Sequence, residues 1–303
     1  MAQLRAPIEA PQARPPRYGL LAAAPTVDDA DLRVLAGGWK FQPEGCGLSG
    51  RDSVACAGNV GVMDVAAGPG QVDGEAIWIW AGDECSTFGF EARDWQGRAR
   101  RQLAAVESFE LAAELWDGDV SQGADDAEGG GDDLPNRWLA MAGAASDTVT
   151  TEPTAPTSAL ACVEQALGEA MRGQQGMVHV TPQVLVHLVA DQLVTRQGNV
   201  WTTPMGHVVV ADAGYSGSGP GGAAADATGQ WIYGTPMIQV RLGPIEMIPG
   251  SLEQAQNLAA SMDRGVNTIT VIAGRLAGFQ WASECAHIAA QVNVPVCAIG
   301  GAS

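Results

Sequence analysis

EARDWQGRARRQLAAVESFELAAELWDG, residues 91–118, is the longest stretch of this chain whose apolar residues keep a helical period. Trp95, Ala99, Leu103, Val106, Ala113 and Trp116 recur at helical intervals, with Arg93, Arg100, Arg101 and Glu107 between them. The pattern predicts one apolar stripe turned inward and a wet remainder. At 1.5 Å per residue such a helix spans roughly 35–40 Å, about the width of a small domain, so it reads as a strut. Gly118 suits a left-handed C-terminal cap, and Gly97 is the weak point inside.

Before the strut, EAIWIWAGDEC (residues 75–85) alternates well enough for a strand, Ile77 and Ile79 against Trp78 and Trp80, yet both faces are apolar. Exposed tryptophan on a strand is costly, so this strand is expected to lie against something, another chain included. Residues 1–26 are rich in Pro, Ala and Arg without periodicity and read as an extended arm; residues 27–75 are turn-rich. After the strut, DVSQGADDAEGGGDD (119–133) is acidic, glycine-rich and exposed, and a second linker ends at Ser158.

The rest alternates. Leu160, Val163, Leu167 and Met171 sit at helical spacing closed by Gly173; MVHVTP is a strand stopping at Pro182, followed by the helix QVLVHLVADQL. A strand is expected over His207–Ala213, two or three strand pieces over 231–249, a helix from Ser251 to Met262, and two closing strands in NTITVIAGRLAGFQW and HIAAQVNVPV. The sum is an α+β protein of mostly lone strands.

The 303 residues, 46% hydrophobic, suffice for a large core or two medium ones. A formal net charge of −18 argues against a dedicated nucleic-acid binder and leaves at most loose contact with DNA. Six scattered cysteines (Cys46, Cys56, Cys85, Cys162, Cys285, Cys297) form no C-x-x-C pair and read mostly as buried thiols, with a Cys46–Cys56 bridge as the one pairing across a glycine-rich loop. No apolar run reaches the ~20 residues of a membrane span, and Pro15 and Pro16 spoil the short apolar run after Arg17 as a secretion signal.

Candidate chemistry is thin. His179, His187, His207 and His287 have no metal-ligand spacing. Gly217–Gly222 spells G-x-G-x-x-G after a strand, but Pro220 interrupts it and no helix pattern follows. The only lysine is Lys40, so there is no phosphate-binding Gly-Lys-Ser/Thr. Carboxylates concentrate in 119–133, unsuited to a preorganised acid/base pair. No catalytic, cofactor or metal site is expected.

The order of features resembles the tailed-bacteriophage major capsid protein family, whose fold encapsulin shell proteins share. Residues 110–119 (ELAAELWDGD) are similar to the end of that family's long spine helix; Ala159–Met171, Met177–Pro182, Val184–Leu193 and Gly198–Val210 follow its helix, strand, helix and strand; Ile238–Leu242 resembles its peripheral-domain strand, and Asn267–Arg275 through Val294 its closing strands. The resemblance implies an N-terminal arm and turn-rich region (1–58), an extended loop (59–90), a peripheral domain (91–176) with spine helix 91–118 and acidic loop 119–133, an axial domain (177–235), and a closing segment (236–303). It further implies a non-enzymatic subunit that assembles with itself into hexamers and pentamers of an icosahedral head around double-stranded DNA, helped by a separate scaffold protein and a portal, with no membrane partner. Such a subunit is made in the host cytoplasm and resides in the virion. Trp78, Trp80, Trp95, Leu103 and Trp116 are its expected assembly residues. Lys40 as sole lysine speaks against a lysine–asparagine cross-link. The alternatives are an encapsulin-like cellular compartment, a small-molecule enzyme of unknown type, and a phage decoration or connector protein.

Overall fold

A computed structural model of the chain describes residues 12, 14–29, 35–45, 70–86, 94–122, 134–225, 229–251, 262–263 and 268–296. The Cys46–Cys56 pairing, the acidic run beyond Gln122, and all but the ends of the helix expected over Ser251–Met262 lie outside these residues. The helices are α1 (Leu20–Ala23), α2 (Trp95–Asp117), α3 (Pro156–Ala170) and α4 (Pro182–Ala190). The strands are β1 (Thr26–Asp28), β2 (Trp39–Phe41), β3 (Val72–Gly74), β4 (Ile77–Ser86), β5 (Gly176–Val180), β6 (Thr195–Gln197), β7 (Val200–Thr202), β8 (Val208–Ala211), β9 (Gln230–Pro236), β10 (Ile238–Leu242), β11 (Glu246–Ile248), β12 (Met262–Asp263), β13 (Thr268–Trp281) and β14 (Ile288–Val292). The chain divides into a larger unit (Arg17–Trp78, Ser108–Pro244, Leu276–Ser303) and a smaller one (Met1–Pro16, Ile79–Glu107, Ile245–Arg275), and α2 and β13 supply residues to both.

The larger unit is built on a sheet of order β14-β9-β5-β8-β7-β6, in which β5 runs parallel to β8 and antiparallel to β9. Its central strands read as continuous apolar runs, GMVHV and VVVA, because both faces are covered; every residue of β5 and β8 is buried. On one face Val178, Val180, Val209 and Ile232 pack with Leu160, Val163 and Leu167 of α3 and Val184 and Leu188 of α4. The helices start where the sequence directs: each has proline in its first turn, where a missing N–H goes unnoticed, and the Thr181 hydroxyl accepts the Val184 N–H at 3.3 Å to cap α4. Also in this unit, β1 runs parallel to β10, and β10 runs antiparallel to the second half of β13.

In the smaller unit the first half of β13 pairs with β11 and β12 in antiparallel register and also with β4. Ala99 and Leu103 of α2 are fully buried. Asp94 starts that helix, its carboxylate accepting the Gly97 N–H at 2.9 Å, so Gly97 sits in the capped first turn and is not an interior weak point. Arg98 pairs with Asp83 at 2.9 Å, and Arg275 pairs with Glu107, both of them largely buried.

Three expectations are corrected. The strands are not lone; they join in sheets whose partners lie far apart in sequence, such as Thr26 beside Val240. The inward stripe of α2 is Ala99, Leu103, Glu107, Leu111 and Leu115, flanked by Ser108, Ala112 and Trp116, whereas Val106 is exposed and Ala113 only half-buried. Glu107 can occupy that stripe because Arg275 neutralises it, a partner 168 residues away that periodicity cannot supply. Nor are two of the cysteines buried thiols: Cys162 is free and exposed, and Cys285 is disulfide-bonded.

Candidate assembly surface

β4 segregates its residues by the alternation of a strand. Ile77 and Ile79 are each 4% exposed, while Trp78 and Trp80 on the opposite face are 38% and 55% exposed. An indole carries 150–250 Å² of largely apolar surface, so two in one short run form a patch that water solvates poorly. Of the other expected assembly residues, Trp95 is half-buried, and Leu103 and Trp116 are wholly buried in the chain's own fold. Sequence reasoning passed over Phe109, 45% exposed, and placed Val106 inside; three residues apart, they share the outer face of α2. A phenylalanine among helical leucines carries no signal of which way it turns.

The C-terminal end of α2 is gripped from outside. Gly118 takes the left-handed conformation (φ 67°) and donates its N–H to the Glu114 carbonyl, ending the helix as expected. The Glu114 carboxylate, buried and therefore pushed up in pKa, accepts the Val120 and Ser121 N–H groups, both at 2.9 Å. The glycine-rich segment after β8 lies across the same end. Trp116 donates its indole N–H to Ser218 at 3.1 Å, and the Ser216 and Ser218 hydroxyls donate to Asp117 at 2.9 and 2.6 Å. A Cβ on Gly214 would stand 2.1 Å from the Phe109 carbonyl oxygen, so glycine is needed for this approach. The G-x-G-x-x-G run is thus a strap on a helix end: the N–H groups of Ser218, Gly219 and Gly222 are used locally, that of Gly221 goes to the Ala140 carbonyl, and the serine hydroxyls face Asp117.

Three histidines are spoken for one at a time. Thr235 gives its hydroxyl hydrogen to the Pro236 carbonyl at 2.9 Å and so accepts from His179 Nε2, at 2.9 Å; His179 Nδ1 then accepts the Tyr215 hydroxyl, at 2.9 Å. His207 Nδ1 accepts the Gly176 N–H at 2.9 Å, and His287 Nε2 donates to the Leu139 carbonyl at 2.8 Å. Among the described residues no group of three His, Cys, Asp or Glu side chains could hold a metal ion, and no helix is long and apolar enough to cross a membrane.

Burial holds these imidazoles neutral, lowering His179 to about 3 and His287 to about 4. An unfolded histidine takes up its proton near pH 6.5, so the native stability these two provide is complete above that value and is lost as pH falls toward 4. The slope is roughly 1.4 kcal/mol per pH unit for each, and Glu114 and Asp212, whose raised pKa values favour the fold at low pH, oppose only part of it. Urea unfolding of the subunit at pH 7, 6 and 5 is expected to show stability dropping through this window, with His287→Gln making the drop shallower. Stability that is flat from pH 7 to 5 contradicts the assignment.

No protein-family model matches this sequence, and no curated protein does. Solved structures match it in fold along nearly the whole chain, and that fold is the one shared by phage-type capsid and encapsulin shell subunits. The capsid of Ralstonia phage GP4 superposes with a TM-score of 0.53 at 10% identity, covering 97% of this chain and 96% of its own. The capsid of the native GTA particle gives 0.53 at 12% identity over 98% and 96%, and the SrpI encapsulin of Synechococcus elongatus PCC 7942 gives 0.54 at 9% identity over 96% and 93%. The α+β capsid fold expected from the sequence is the fold found.

Proposed function

We propose that this chain is a non-enzymatic shell subunit that assembles with copies of itself into hexamers and pentamers of an icosahedral phage head around double-stranded DNA. The observation that carries the reading is the match in fold to capsid subunits over 97–98% of the chain. The outward Trp78 and Trp80 support it, since an extended loop over residues 59–90 would remove them from water by lying on a neighbouring subunit. In this reading 91–176 is the peripheral domain with its spine helix, 177–235 the axial domain, and 236–303 the closing strands. Contact with DNA is loose for a chain of net charge −18, and a scaffold protein and portal are separate partners.

A cellular encapsulin compartment is the second reading, and the SrpI encapsulin match, at 0.54 as good as either capsid, favours it. Expression of the chain alone in a host without related phages, followed by negative-stain microscopy and mass spectrometry of the particle contents, separates them. Incomplete or aberrant shells that close properly only with a scaffold protein support the phage head. Regular closed shells carrying a single host enzyme support the compartment, and dispersed monomers contradict both.

A further inference from the structure

Immediately after β8 lies Asp212, a carboxylate 4% exposed that no ion pair reaches among the described residues. Hydrogen-bond donors hold its charge instead. Its Oδ2 accepts the Leu20 N–H at 2.8 Å and the Ser108 hydroxyl at 2.7 Å, and its Oδ1 accepts the Gly214 N–H at 3.1 Å. The Leu21 N–H reaches the same Ser108 oxygen at 3.5 Å. One side chain therefore ties α1, the middle of α2 and the glycine strap together.

The residues on either side of this contact differ sharply. Arg14 to Tyr18 are all exposed, and Leu20 is completely buried. Between them Gly19 has φ 114°, and a Cβ there would stand 2.2 Å from Asp212 Oδ2 and 2.7 Å from Ser108 Oγ. Only glycine lets the chain turn so tightly against the carboxylate. Farther on, a second and independent anchor takes over: β1 pairs with β10, and Asp29 receives two hydrogen bonds from Arg241, both at 2.7 Å.

We propose that Asp212 and Ser108 form a latch on Leu20 that fixes the point and direction at which the N-terminal segment leaves the larger unit, with Gly19 as its pivot. Opening the latch frees Gly19–Ala24 while β1 stays paired, which moves the pivot from Gly19 to Pro25. The latch sets the exit of the segment and not its attachment. If the segment reaches neighbouring copies, as the proposed shell requires, the latch also sets which neighbour it meets; that consequence rests on the shell reading, whereas the latch itself does not.

The test uses the full chain as unassembled subunit. Trypsin cutting at Arg17 must draw Tyr18 to Leu21 into an extended strand, which the latch prevents. Asp212→Ala, Ser108→Ala and Gly19→Ala are expected to raise the cleavage rate at Arg17 at least tenfold and to remove hydrogen-exchange protection from the Leu20 amide, with the amides of Thr26–Asp28 still protected. If Asp212→Ala fails to fold, by circular dichroism, the other two variants decide. Unchanged cleavage and exchange in the folded variants overturn the latch, and so does loss of protection that spreads equally through β1. A variant that opens the latch yet assembles like wild type leaves the latch standing and counts against the arm's part in the shell.

Discussion

Leu103→Asp yields no stable subunit. The side chain is fully buried on the stripe of α2 that also holds Ala99, Glu107 and Leu111. Glu107 is tolerated there because Arg275 meets it, but no such partner faces Leu103 in the ion pairs among the described residues. A carboxylate at 103 must be buried unpaired or protonated, and either route is expected to cost about 4–5 kcal/mol, a large share of the stability of an ordinary domain. Thermal or urea unfolding measures it, with Leu103→Ala, expected at about 2–5 kcal/mol, as the calibrating loss of packing alone. A purified Leu103→Asp subunit that melts like wild type would mean the helix faces elsewhere.

The double change Trp78→Ala/Trp80→Ala acts in the opposite way, sparing the subunit and removing the particle. Both indoles stand on the outer face of β4, 38% and 55% exposed, so their loss leaves the subunit core intact, and the subunit is expected to stay folded with a loss of unfolding free energy of no more than about 2 kcal/mol. Interface tryptophans often contribute 2 kcal/mol or more apiece, and a closed shell repeats the loss at every contact. The expected result is a folded subunit whose critical concentration for assembly rises by at least tenfold, read by sedimentation across a dilution series. An unchanged particle yield would remove these residues from the interface.

These two residues also mark what could be read in advance. The indoles on β4 were legible because strand alternation is local: Ile77 and Ile79 could not face the same way as Trp78 and Trp80, and burial of one pair left the other outward. The Gly118 end of α2 and the break at Pro182 before α4 were legible for the same reason, since each is decided within a turn or two of chain, whereas α2 starts at Trp95 and not at residue 91, and α3 begins at Pro156, inside the stretch read as a linker. Glu107 was not legible either. Its place in the core depends on Arg275, and the sheet pairings of Thr26 with Val240 and of Val178 with Val209 likewise depend on partners no local window contains.

The glycine strap shows the same limit from the functional side. Read locally, Gly217–Gly222 is only a glycine motif spoiled by Pro220, with no role to assign; in the fold, Trp116 and Asp117 use its serines, and Gly214 is spent on approach to the helix backbone. Asp212 gave no warning either. A lone aspartate after an apolar strand becomes informative only once Leu20 and Ser108 are seen to donate to it.

The outward tryptophans of β4 are expected to find their burial on another copy of the chain. Hydroxyl-radical footprinting with mass spectrometry, run on free subunit and on assembled particles from one preparation, reads this residue by residue. Trp80 is expected to be oxidised readily in the free subunit and to be protected at least fivefold in the particle, while Trp116 stays unreactive in both. Equal labelling of Trp80 in the two samples, or its protection already in the lone subunit, would contradict the account.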